Sequence, residues 1–107
     1  MLKTVTIDGT EMEFAANAAT PFRYKQIFQK DLLQILGNEE KAQQEGVEAV
    51  TQLAYIMAKQ AEKADMAKLS IDDFISWLEG FSPMAFVENA EEILNVYMDS
   101  TSTTAAP

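Results

Sequence analysis

The side chains able to do chemistry in this chain are carboxylates, hydroxyls, lysines and tyrosines, because its 107 residues include no histidine and no cysteine. Disulfides, thiolate nucleophiles, Cys/His zinc sites and imidazole-based triads are thereby excluded. The carboxylates that could suggest a metal or catalytic site are Asp72, Asp73 and Glu79 with Glu88, Glu91 and Glu92. A calcium site would need about six to eight oxygens on a tight, glycine-bearing loop, and no stretch has that spacing. A glycosidase pair would need a cleft and two opposed pKa values, for which a small helical domain leaves little volume. Asp72 and Asp73 suit a helix N-terminus, and Glu91 and Glu92 suit a solvated helix face. We therefore expect no enzyme and no catalytic, cofactor-binding or metal-binding residues.

Contact with other proteins is the chemistry that remains. Arg23, Tyr24, Lys25 and Lys30 place most of the first helix's positive charge within two turns. Up to residue 68 there are eight bases against ten acids, a net −2. From residue 69 there are seven acids and no base, which completes the net −9. Such a balance argues against nucleic acid, since phosphate contacts need clustered Lys and Arg. It suits a basic partner surface or a solvated face. Our candidate contact residues are Arg23, Tyr24, Lys25 and Lys30 on one patch and Glu88, Glu91, Glu92 and Tyr97 on the other. They would join copies head to tail, as a homo-oligomer.

The elements that must carry these residues are mainly helical. Residues 2–14 read as a β-hairpin of alternating, β-branched character around Asp8-Gly9, a strong two-residue turn. Thr20-Pro21 reads as a cap followed by a first-turn proline, opening a helix that runs to about Leu36 and stops at Gly37. Asn38 caps a second helix, with Glu39 and Glu40 in its first turn and Gly46 as a possible break. Its apolar stripe is Val47, Val50, Ala54, Met57, Ala61 and Ala64, widened by Leu53 and Ile56, and its end is expected near residues 63–65. Ser70-Ile71-Asp72-Asp73 reads as a capping box for a short third helix ending at Gly80. A fourth helix, opened by Ser82-Pro83, runs to about Met98 with Phe86, Ala90, Ile93 and Tyr97 in line. Trp77 and the phenylalanines are assigned to the core. Met57, Met66, Met84 and Met98 fit either a core or an adaptable groove, with the core favoured.

The fold class is thus mainly α: an N-terminal β-hairpin, a compact four-helix domain and a flexible C-terminal tail. Residues 1–99 form the single domain, and 100–107, all Ser, Thr, Ala and Pro, form the tail or linker. No apolar run is long enough for a membrane helix and no signal peptide opens the chain, so a soluble intracellular protein is expected.

Four stretches carry a family resemblance: Thr4-Val5-Thr6-Ile7-Asp8-Gly9; Ala18-Ala19-Thr20-Pro21-Phe22-Arg23-Tyr24-Lys25-Gln26-Ile27-Phe28 with Asp31-Leu32-Leu33; Leu53-Ala54-Tyr55-Ile56-Met57-Ala58; and Trp77-Leu78 with Ala90-Glu91-Glu92-Ile93. Over residues 2–98 the chain resembles the tail assembly chaperones of long-tailed, siphovirus-type phages and prophages of Gram-positive bacteria. The resemblance implies a non-enzymatic chaperone that binds the tape measure protein, recruits the major tail protein of the tube and self-associates. It also implies work in the cytoplasm of the bacterial host and absence from the mature virion. In many such phages a ribosomal frameshift appends a second domain, and residues 100–107 look like the linker where it would begin. The alternative from another class is an acidic, phage-encoded inhibitor that occupies a basic groove in the manner of a DNA mimic.

Overall fold

The computed structural model describes the backbone of residues 2–102 and the side chains of residues 2–99. Strands β1 (Leu2–Ile7) and β2 (Thr10–Ala15) pair antiparallel, with Val5 opposite Met12 and Lys3 opposite Phe14. The turn between them puts both Asp8 and Gly9 at positive φ, 54° and 76°, as a tight two-residue hairpin requires. Val5, Ile7 and Phe14 share the buried face of the hairpin. A lone hairpin is marginal in water, and this one packs on helices at both strands.

Helices α1 (Thr20–Phe28) and α2 (Leu32–Gly37) replace the single helix expected here. Gln29 turns left-handed at φ 59° and ends α1. The Asp31 carboxylate then accepts from the backbone N–H groups of Leu33 and Gln34, at 3.1 and 3.2 Å. A short acidic side chain that can cap a new helix competes with continuing the old one. Phe28 before the break and Leu32 after it are both buried in the core. Thr20 is buried rather than capping, and its hydroxyl donates to Gln60 Oε1 at 2.8 Å.

Helix α3 (Glu39–Ala61) begins at the expected Asn38 cap, which accepts from Lys41 N–H at 3.0 Å. It passes through Gly46 unbroken. From Ala49 to Ala58 nearly every residue is buried, so α3 is the central helix rather than a one-sided amphipath. It contacts β2, α1, α2 and the three later helices. A one-turn 3-10 helix (Met66–Lys68) leads to α4 (Ile71–Leu78), where Ser70 caps Asp73 N–H at 3.1 Å as expected.

The expected fourth helix is also divided, into α5 (Ala85–Glu88) and α6 (Ala90–Ser102). Asn89 sits between them outside helical geometry, and its side-chain amide donates to the Ala85 carbonyl at 2.8 Å. Ser82, expected to cap this helix, instead donates its N–H and hydroxyl to the Asp8 carboxylate, at 2.7 and 2.8 Å. That pair latches the hairpin turn to the loop before α5. Helix α6 continues to Ser102, past the expected start of the tail at residue 100; residues 103–107 lie outside the described residues. The mainly α architecture with an N-terminal hairpin stands as expected. Among the described residues, no helix is long and apolar enough to cross a membrane.

Candidate functional site

Burial separates the expected contact residues. Lys25, Glu88, Glu91 and Glu92 are exposed and Arg23 is half-buried. Tyr24 and Tyr97, expected to supply the apolar part of a contact surface, are buried instead. Tyr24 lies against Phe28, ring centroids 5.2 Å apart, and its hydroxyl donates to the buried Gln52 Oε1 at 2.5 Å. Burial, with Glu48 and Glu45 adding to it, pushes the Tyr24 hydroxyl far above its ordinary range, and burial also raises Tyr97. Lys30 is committed within the fold, with its ammonium 3.1 Å from Glu48 and 3.5 Å from Glu45. The bond to Glu48 is the main cause of its raised pKa, with Glu45 adding and partial desolvation opposing.

The exposed apolar side chains collect elsewhere. Short helix α4 carries Ile71, Phe74, Ile75, Trp77 and Leu78, an apolar arc wider than one core contact consumes. Phe74 is buried and Trp77 and Leu78 half-buried, but Ile71 and Ile75 are 51% and 50% exposed. Between α3 and α4 lies a cavity of about 460 Å³ lined by Phe28, Lys30, Glu48, Thr51, Gln52, Ile71, Phe74, Ile75 and Leu78. A second, of about 270 Å³, is lined by Val47, Thr51, Leu78, Phe81, Ser82, Pro83, Phe86 and Val87. The two border each other at Thr51 and Leu78, which line both, and together they are called the groove. Val47 and Val87 at its far end are also exposed.

An aromatic chain stiffens the floor. Phe28 meets Phe74 at 5.0 Å, Phe74 meets Tyr55 at 5.3 Å, and Tyr55 meets Trp77 at 5.5 Å between centroids. Trp77 continues to Phe81 and Phe86, at 5.0 and 5.3 Å. Edge-to-face and tilted contacts of this kind add to area burial and fix ring positions. The Tyr55 hydroxyl donates to Asp73 Oδ2 at 2.5 Å, which ties α4 to α3. Burial first, and then Asp73, hold that hydroxyl protonated far above its ordinary range.

The groove was not among the residues picked from the sequence, where Ile71 reads as part of a capping box and Ile75 as a position on the short third helix. The available signal was the width of the apolar arc on an eight-residue helix that also bears Asp72 and Asp73. Its chemistry is apolar recognition: an open slot with rigid aromatic flooring, aliphatic walls and carboxylates along its lips. Compared with protein-family models, curated proteins and solved structures, the chain matches none.

Proposed function

We propose that this protein is a tail assembly chaperone of a long-tailed phage or prophage, holding a helical segment of the tape measure protein in the groove between α3 and α4. The observation that carries the reading is the group of exposed Ile71, Ile75, Val47 and Val87 around that groove, four of the nine large apolar side chains left exposed among the described residues. Grooves with such walls bind amphipathic helices through anchors one and two turns apart. The resemblance in sequence order supplies the client. The protein acts without catalysis in the host cytoplasm, recruits the major tail protein to the client and is left out of the virion.

Copies associate through Arg23 and Lys25 on one chain and Glu88, Glu91 and Glu92 on another. With Tyr24 and Tyr97 buried, Phe22, 73% exposed beside Arg23, supplies the apolar part of that contact. Co-expression with the long helical protein encoded next to it tests the assignment. The two are expected to co-purify. A chain that fails to retain that protein under conditions where both are folded contradicts it.

A further inference from the structure

We infer that the groove selects a cationic amphipathic helix, one whose apolar stripe is flanked by Lys or Arg. The inference rests on the groove being the client site and adds the chemistry of the client. Helix α4 has eight residues, about 12 Å of wall at 1.5 Å per residue. Ile71, Ile75 and Leu78 stand along it at helical spacing; all three share a cavity with Thr51 of α3, and Leu78 shares the second with Val47. That geometry matches a guest of two to three turns with apolar anchors at i, i+4 and i+7.

Charge decides what flanks those anchors. Asp72, Glu79 and Glu88 are exposed on or next to the elements that form the lips, and the Lys30, Glu45 and Glu48 cluster adds a net −1 on the α3 side. Lys30, the cation lining the groove, is bonded to Glu45 and Glu48. No base follows Lys68 in the sequence, so α4, α5 and α6 contribute acids alone. A guest with acidic flanks would meet like charge on both sides. A guest with basic flanks gains attraction and a faster encounter. A second copy of this chain fits less well. Its basic helix α1 exposes Phe22, but the positions that follow on that face are Lys25, Gln26 and Gln29. It offers one apolar anchor where the groove has room for three.

The test uses two designed helical peptides of about 16 residues, without tryptophan, with the same leucine stripe and either Lys or Glu beside it. Trp77, the single tryptophan, packs on the aromatic floor and reports binding by its fluorescence. The Lys peptide is expected to bind, and the Glu peptide to bind at least about tenfold more weakly. The gap should narrow in high salt, since exposed charges are screened. Asp72→Lys with Glu79→Lys should reverse the preference, and Ile75→Asp should abolish binding of both peptides at an unchanged thermal midpoint. Equal affinity for the two peptides overturns the charge selection and leaves the groove as client site. No binding of either, in a protein that still co-purifies with its tape measure protein, overturns this inference alone. Selective binding of the Lys peptide without such co-purification supports it and removes the chaperone assignment. A concentration-dependent oligomer that Ile75→Asp dissolves, with no peptide bound, gives the groove to a second copy and overturns the inference.

Discussion

The two faces of α3 spend similar side chains in opposite ways. Toward β2, α1 and α2, the apolar side chains of α3 are closed over: Leu53, Ile56 and Met57 are fully buried, and the hollow beside β2 is rimmed by Glu11, Glu13 and Glu62. Buried polar atoms there are paired, as Tyr24 is with Gln52 and Thr20 with Gln60. Toward α4 and α5, a chain of aromatic rings is equally well ordered, but aliphatic side chains stand half in water around a groove. Core burial stabilises by roughly 25 cal/mol per Å², so exposed Ile71 and Ile75 forgo stability that a closed face would gain. The contrast teaches where to look for work in a protein without histidine or cysteine: the face whose apolar surface is rigidly supported yet left open.

Mutations on the two faces should separate stability from binding. Leu53→Ala, in the closed face, should cost about 2–5 kcal/mol in denaturant unfolding. Ile75→Ala, in the open face, should stay within about 0.5 kcal/mol by the same measurement, as exposed positions do. Equal losses would erase the distinction. Tyr24→Phe removes the hydroxyl that Gln52 accepts from and leaves a buried acceptor unpaired, at a cost of roughly 1–3 kcal/mol. Gly46→Ala should go the other way, stabilising by about 0.5–1 kcal/mol in thermal unfolding. Its added methyl would meet no atom within 4 Å, and alanine is the better helix former.

The smallest effect concerns the latch between the hairpin turn and the loop before α5. The Ser82 N–H and hydroxyl hold the Asp8 carboxyl below its ordinary 3.8. The folded state therefore binds this proton less readily than the unfolded chain. The latch's contribution is complete above that ordinary value and is lost as pH falls through the lower folded one. Asp8→Asn, which keeps a residue tolerant of positive φ, should flatten the acid limb of the thermal midpoint between about pH 5 and pH 2.

Much of the architecture was legible in the sequence because its signals are local. Asp8-Gly9 dictates the hairpin turn, Asn38 and Ser70 cap the helices they precede, and Phe86, Ile93 and Tyr97 line one buried face. The breaks at Gln29 and Asn89 were not legible, because apolar spacing continues across them, and what marks them is the left-handed Gln29 backbone and side-chain bonds from Asp31 and Asn89. Ser82 and Thr20 look like caps in sequence but bond to Asp8 and Gln60, 74 and 40 residues away. The interaction patch was misjudged at Tyr24 and Tyr97 for a related reason. An amphipathic tyrosine reads as surface until the fold shows a partner for its hydroxyl and a core for its ring. The groove depends on how three separate elements meet, which no single periodicity contains.

The central claim is that the open face of α3 and α4 binds the client and that the closed face only holds the fold. Ile75→Asp, co-expressed with the proposed tape measure client, tests it most directly when co-purification and thermal midpoint are measured on the same sample. The account predicts a wild-type midpoint with the partner lost. Retention of the partner at wild-type level, with the aspartate seated in the groove, would contradict it.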